Sequence, residues 1–378
     1  MLKKLPRVAF LLHNIDSGGV ERVAINLLKE LVKYPISIDL VLFEKKGNFL
    51  NETPPEVRIV DLSSTSSGRL RKIFPLVKYL RREKPSVLVS KLVQFNVIAI
   101  IAKFFSFIPL HILLVEHLSF DSLENKIKND PKEKIGFLNQ LRKIFYPKAN
   151  VVAAVSQGLA QALEKDLNMK TGTFRVLYNP VIDKNLVTKS QLPVEHPWFE
   201  FGQPPVFLAA GRLAPQKDFL TLIKAFAIFR QKYTARLVIL GEGPERQILE
   251  AEISRLNLEA DVALLGFTDN PYAYMSKASA FILSSRFEAL PTVLIEALAC
   301  GCQVIATDCP YGPNEILVNG KYGKLVSVGN TDELADAIEK TLDSPIDPQL
   351  LKLRAYDFNS KNAVVEYLKA MNLDYLLE

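Results

Sequence analysis

A short apolar run that passes directly into a helix-forming stretch limits what this chain can become. Residues 280–284, Ala-Phe-Ile-Leu-Ser, read as a strand buried on both faces, as in a parallel sheet. A loop, Ser285-Arg-Phe-Glu-Ala-Leu, leads to Pro291 and then to residues of good helix propensity. Proline suits the first turn of a helix and glycine the position past its end, so a helix is predicted over 291–300, stopped at Gly301. Strand, tight loop and helix in succession make the repeating unit of an open α/β sheet.

Two carboxylates stand on this stretch eight residues apart, Glu288 in the loop and Glu296 on the helix. Eight helical residues span about 12 Å, comparable to the distance from sugar to ribose in a nucleotide-diphospho-sugar. Between them come the free N–H groups of Thr292, Val293 and Leu294, at a helix N-terminus where a diphosphate is favoured. Carboxylates at both ends would accept hydrogen bonds from sugar and ribose hydroxyls. Taken singly, each acid reads first as an exposed surface charge.

The same unit recurs along the chain. Residues 7–12 form a strand, and the loop 13–19 ends in Gly18-Gly19. Residues 20–31 carry Val20, Val23, Ala24, Leu27, Leu28 and Leu31 at helical spacing. Glycines here let backbone approach a phosphate, although a tight turn explains them equally, and they are not the G-x-G-x-x-G of a dinucleotide enzyme. Further strands are predicted over 36–43, 57–61, 85–90, 111–115, 151–155 and 174–177, then 205–210, 236–241, 262–267 and 303–307. His117 follows the 111–115 strand at its carboxyl end, where open parallel sheets hold ligands. Arg212 and Lys217 lie between the 205–210 strand and a helix from 219; two cations at a helix N-terminus imply an anion between them.

At 378 residues, the chain is comfortable for two domains. Residues 1–195 hold 30 Lys and Arg against 18 Asp and Glu, a surplus of +12, whereas residues 196–378 hold 17 against 23, or −6. The basic half should face something anionic. No zinc finger, RNP-like motif or recognition helix points to nucleic acid, so an acidic membrane surface or a lipid-linked diphosphate fits better. The basic stretch 68–84 reads first as a solvated helix face, with a membrane-surface helix as the sharper alternative, whereas 125–147 suits a membrane contact, the frame of an acceptor groove or a mobile surface excursion. Residues 97–115 contain Lys103, Pro109 and His111, and are expected as a buried helix and strand rather than a span. Cys300, Cys302 and Cys309 lack both an even count and metal-ligand spacing, and read as buried thiols of a reducing cytoplasm.

In this setting residues 285–301 resemble the GT4 family of retaining glycosyltransferases, whose E-x7-E motif matches Glu288 and Glu296. Residues 301–317 are similar to the variant in bacterial surface-glycan transferases, and residues 17–22 resemble the family's Ser-Gly-Gly-x-Glu-Arg opening. His117 matches an active-site histidine of many members, and Tyr178-Asn-Pro180 resembles the exit from the first domain. The resemblance implies the GT-B fold, an α/β chain of two Rossmann-like domains with parallel sheets facing across a cleft. It implies an acceptor-binding domain over 1–182, a linker over 183–197, a nucleotide-sugar-binding domain over 198–357, and a C-terminal helix over 358–378 crossing back to the first domain.

The resemblance also distributes roles. Glu288 positions donor-sugar hydroxyls, Glu296 holds the ribose, Arg212 and Lys217 neutralise the departing diphosphate, and Gly266 and Phe267 lie near the base. Gly18 and Gly19 reach donor and acceptor, and His117 hydrogen-bonds the transferred sugar or stabilises charge in the transition state. The acceptor attacks on the leaving-group face without a covalent nucleophile. Cations and a helix dipole replace a metal, in line with the lack of any D-x-D triplet, and no cofactor is expected. The donor is expected to be UDP-linked, carrying a hexose or N-acetylhexosamine, and the acceptor a glycan or polyprenyl-diphosphate-linked glycan of surface polysaccharide synthesis. The expected location is cytoplasmic, peripheral on the inner face of the membrane. A nucleotide-sugar 2-epimerase of the same fold, a nicotinamide-dependent oxidoreductase and a non-catalytic sugar- or lipid-binding member are the alternatives.

Overall fold

The computed structural model describes residues 5–16, 18–63, 72–118, 132–182 and 184–377. The chain divides into two compact units, Met1–Pro180 with Ser360–Glu378, and Val181–Asn359.

The first unit is built on a seven-stranded sheet: β1 (Arg7–Leu12), β2 (Ser37–Leu42), β3 (Arg58–Asp61), β4 (Val87–Lys91), β5 (His111–Glu116), β6 (Val151–Ala154) and β7 (Phe174–Val176). Its order is β3-β2-β1-β4-β5-β6-β7, and every pairing is parallel. Strands so placed have helices on both faces, which is why β1, β2 and β5 are buried along nearly their whole length and read as continuous apolar runs. Residues 97–115 are the helix Val93–Ser106 followed by β5. Among the described residues no helix is long and apolar enough to cross a membrane. The helix Ser360–Ala370 returns to this unit, where Ala363, Val364, Tyr367 and Leu368 are buried and His111 Nε2 lies 2.9 Å from the Ala370 carbonyl oxygen.

The second unit carries β8 (Val206–Ala210), β9 (Arg236–Leu240), β10 (Val262–Gly266), β11 (Ala280–Leu283), β12 (Gln303–Thr307) and β13 (Lys324–Val326). All are parallel, in the order β10-β9-β8-β11-β12-β13. Phe207, Phe226 and Phe229 pack edge-on and tilted in its core with Leu222, Leu237 and Ile239. The polar run 183–197 is not a plain connector: Lys184–Ser190 is helical, and the Ser190 and Lys189 carbonyls accept from Ser276 Oγ (2.7 Å) and Asn270 Nδ2 (3.0 Å). The chain enters and leaves this unit side by side, with the Val181 N–H donating to the Phe358 carbonyl at 3.1 Å.

Candidate functional site

In each sheet the connections run one way from the first strand and the other way from its neighbour, so a crevice opens at the carboxyl ends of β1 and β4 in one unit and of β8 and β11 in the other. In the second unit, those ends carry the loops 211–218 and 284–291. Three loops there lie backbone against backbone. Gly211 N–H donates to the Leu240 carbonyl at 2.9 Å, Leu213 N–H to that of Glu242 at 3.0 Å, and Gly241 N–H to that of Gly266 at 2.7 Å. A Cβ on Gly243 would stand 2.3 Å from the Leu213 oxygen, so glycine is required by close approach. Gly266, at φ +78, is thereby tied to the loop after β9, and Phe267 beside it is exposed.

The loops after β8 and β11 meet through charge. Lys217 Nζ donates to Glu288 Oε1 at 2.6 Å, and Ser285 Oγ donates to the same oxygen at 2.7 Å. Gln216 Nε2 donates to the Phe287 carbonyl (2.9 Å), and Ser284 Oγ to that of Lys217 (2.7 Å). The Glu288 peptide is held as well, its N–H on the Pro310 carbonyl and its carbonyl accepting from Tyr311 N–H, both at 2.7 Å. Two largely buried ionised groups are paired and further hydrogen-bonded, as burial of charge demands.

This corrects the argument that Arg212 and Lys217 need a ligand anion between them. Lys217 has Glu288 as its anion, while Asp218, buried at the start of the helix Phe219–Arg230, holds Arg286 through contacts of 3.0 and 3.2 Å. The local balance is met within the protein, and Arg212 remains exposed.

The helix after β11 is Thr292–Ala299, closed by Gly301 at φ +76, with Cys302 N–H on the Ala297 carbonyl at 3.0 Å. A second correction concerns its N-terminus: Leu294 N–H is not free but donates to the Pro291 carbonyl at 3.1 Å, and the Leu294 side chain is buried. Thr292 and Val293 N–H groups have no backbone acceptor among the described residues. Glu296 lies half-buried in the middle of the helix. Cys302 and Cys309 are buried, and burial pushes the thiols of Cys300 and Cys309 up to about 12.

In the first unit, His117 follows β5 directly. It is buried, and its Nε2 has no hydrogen-bond partner among the described residues. Burial, then the nearby Lys91, hold its pKa well below the usual histidine value, so the ring is neutral at pH 7. Lys91, the last residue of β4, escaped the sequence reading, which ended that strand at Ser90. It is fully buried, 5.6 Å from the Tyr367 ring centroid, and its Nζ has no hydrogen-bond partner among the described residues. Burial lowers its pKa to about 7, against a smaller upward pull from Glu21. A cation closing an apolar strand at a sheet's crevice was the available signal.

Behind His117, the buried Glu116 carboxylate accepts from Asn96 Nδ2 (3.0 Å) and from the Tyr146 hydroxyl, and Arg142 Nη2 stands 3.7 Å from its other oxygen. The basic stretch 125–147 is therefore not one outward face. Residues 125–131 lie outside the described residues, Lys132–Phe145 is helical, and Arg142 and Tyr146 turn fully inward. Gly18 has an extended backbone (φ −116) and Gly19 begins the helix Gly19–Leu31 with open space around it, so neither glycine is demanded by conformation. Ser17 lies outside the described residues.

These placements give the comparisons their meaning. Residues 17–184 match the model of Glycosyltransferase Family 4, and residues 195–358 that of Glycosyl transferases group 1. The chain belongs to glycosyltransferase family 4. It is 29% identical over 355 residues to the Campylobacter jejuni N-acetylgalactosamine-N,N'-diacetylbacillosaminyl-diphospho-undecaprenol 4-alpha-N-acetylgalactosaminyltransferase, covering 90% of this chain and 91% of the relative. A second C. jejuni enzyme, a GalNAc-alpha-(1->4)-GalNAc-alpha-(1->3)-diNAcBac-PP-undecaprenol alpha-1,4-N-acetyl-D-galactosaminyltransferase, is 26% identical over 377 residues, 96% of this chain and 97% of that one. Among solved structures, Anabaena HepE in complex with UDP superposes with a TM-score of 0.77 at 21% identity, over 97% of this chain and 99% of the other. The fold is GT-B, and the chain is a glycosyltransferase.

Proposed function

We propose that this glycosyltransferase moves a sugar, with retention of configuration and without a metal, from a UDP-linked donor to a polyprenyl-diphosphate-linked glycan. The observation that carries the proposal is Glu288, fixed by Lys217 and Ser285 at the crevice between β8 and β11, with Arg212 exposed on the adjoining loop. A carboxylate held by two donors keeps its remaining lone pairs for sugar hydroxyls. Lys217 and Arg212, with the N–H groups of Thr292 and Val293, would stabilise charge growing on the leaving diphosphate. Glu296 takes the ribose and the Gly266–Phe267 turn the base. In the first unit His117, being neutral, acts as a hydrogen-bonding partner of the sugar rather than as a cation. Attack on the leaving-group face needs no covalent nucleophile.

The relatives named for undecaprenol-linked acceptors and the neighbour bound to UDP support the choice of acceptor and base. The +12 surplus of residues 1–195 supports work at an anionic membrane surface on the cytoplasmic side. A thermal-shift screen with UDP, GDP, ADP and NAD tests the donor site, since ligand at a hundred times its Kd adds about 2.7 kcal/mol. Stabilisation by UDP, lost in Arg212→Ala and Glu296→Ala, is expected. A response to NAD alone overturns the reading.

A further inference from the structure

We propose that the outward face of the helix Ile73–Glu83, together with the phenylalanine cluster that ends the helix Val93–Ser106, is the surface by which this protein seats on an anionic lipid bilayer. The inference rests on the reading of a lipid-linked acceptor and names the surface that serves it.

The helix Val93–Ser106 is apolar and mostly buried, yet its last turn turns outward. Phe104 is 71% exposed, Phe105 51% and Phe107 79%. Their rings form one projection, Phe104 meeting Phe105 edge-on at 5.5 Å and Phe107 at 6.4 Å between centroids. Phe107 sits in the left-handed region (φ +55), a conformation unfavourable for a bulky residue, while Ser106 is buried with its Oγ on the Lys103 carbonyl at 2.8 Å. Solvent gives such rings nothing in return for exposure.

The helix Ile73–Glu83 packs along Val93–Ser106 and buries Leu76, Val77, Tyr79 and Leu80. Its opposite face presents Phe74, Lys78, Arg81 and Arg82, at helical spacing. Arg81 Nη2 donates to the Phe105 carbonyl at 2.8 Å, which joins this basic face to the aromatic cluster. Glu83 is the helix's acid, and it is engaged by Arg7 and Arg58, and by Arg82 Nε at 2.8 Å, rather than offered outward; Lys78 and Arg81 carry the face's charge with the exposed remainder of the Arg82 guanidinium, and residues 99–110 contain no acid. Aromatic rings therefore stand at both ends of a helix about 16 Å long that carries the basic residues between them. The helix links parallel strands, so it runs against them, and Phe74 lies at the crevice end of the sheet where β4 ends in Lys91. A protein lying on this face keeps that end at the lipid surface.

Charge selects the occupant. A second copy in a two-fold contact would set Lys78, Arg81 and Arg82 against themselves, whereas anionic headgroups complement them and accept the rings beneath.

Sedimentation with phosphatidylcholine vesicles, with and without phosphatidylglycerol, tests the surface on native protein, Phe104→Ser/Phe107→Ser and Lys78→Glu/Arg82→Glu. All four positions are exposed, so unchanged melting temperatures are expected. Native protein should bind the phosphatidylglycerol vesicles and release in salt, and each double variant should bind at least about tenfold more weakly. Both should keep native turnover on a water-soluble short-chain acceptor. Native-like vesicle binding by the phenylalanine variant overturns this surface and leaves the membrane reading standing. Failure of the native protein to bind either vesicle overturns both. A loss of self-association in light scattering with vesicle binding unchanged assigns the face to a second copy instead.

Discussion

At the residue scale, the account turns on two lysines that the chain buries for different reasons. Lys217 lies beside a carboxylate. Lys217→Ala leaves Glu288 with only Ser285, so chemical denaturation should register a loss of about 1–3 kcal/mol. The same variant should lower kcat/KM by about 100-fold or more, as loss of a charge-stabilising group does. Unaltered turnover would remove Lys217 from the site.

Lys91 is buried with no hydrogen-bonded carboxylate among the described residues and only a weak pull from Glu21, and its folded pKa of about 7 lies below the ordinary lysine value of 10.5. Between those values the unfolded chain binds more protons than the folded one. The Lys91 penalty is thus full below pH 7 and shrinks as pH rises, by at most about 1.4 kcal/mol per pH unit. Lys91→Met should be more stable than native protein at pH 6, with the gap narrowing by pH 8.5. A gap constant across that range in urea denaturation would contradict the burial of an ammonium there.

At the scale of the element, strands and helices were legible because parallel sheets bury both faces of their strands and make each a continuous apolar run. Residues 280–284 became Ala280–Leu283, and 291–300 became Thr292–Ala299. What sequence could not show was pairing across distance. Lys217 and Glu288 are 71 positions apart, Glu116 and Tyr146 are 30, and no periodicity links them. The helix Lys184–Ser190 was missed because its polar composition is that of a loop, and contacts with Asn270 and Ser276 sustain it. Leu294 looked free because the Pro291 carbonyl turns back on it, a feature of local backbone rather than composition.

The start of the helix Thr292–Ala299 rests on Gly312, at φ +94, where a Cβ would fall 2.7 Å from Pro291 Cδ and 3.0 Å from Leu290 Cα. Gly312→Ala should therefore cost about 1–3 kcal/mol and weaken UDP binding in calorimetry. Native affinity in the variant would separate the helix start from the donor site.

At the scale of the whole molecule, each unit repeats one principle: a parallel sheet whose strand order reverses so that a crevice opens at the carboxyl ends. The end of the chain is part of the first unit's core. Removing residues 360–378 takes away Ala363, Val364, Tyr367 and Leu368 and exposes the apolar surface they cover. Burial of one large apolar side chain contributes about 1.5–3 kcal/mol, while a domain's net stability is about 5–15 kcal/mol. The truncated protein should lose the cooperative unfolding of its first unit in circular dichroism; a fully native transition would show that the returning helix is dispensable.

Transfer itself is the most direct test. Native protein, Glu288→Gln and Lys217→Ala are incubated with UDP-linked hexoses and N-acetylhexosamines, with and without a polyprenyl-diphosphate-linked glycan, and UDP release and the product's anomeric configuration are measured. The account predicts UDP release only with acceptor present, an α-linked product from an α-linked donor, and at least about 100-fold slower release in both variants. A donor altered or cleaved at full rate without acceptor, or an inverted product, would contradict it.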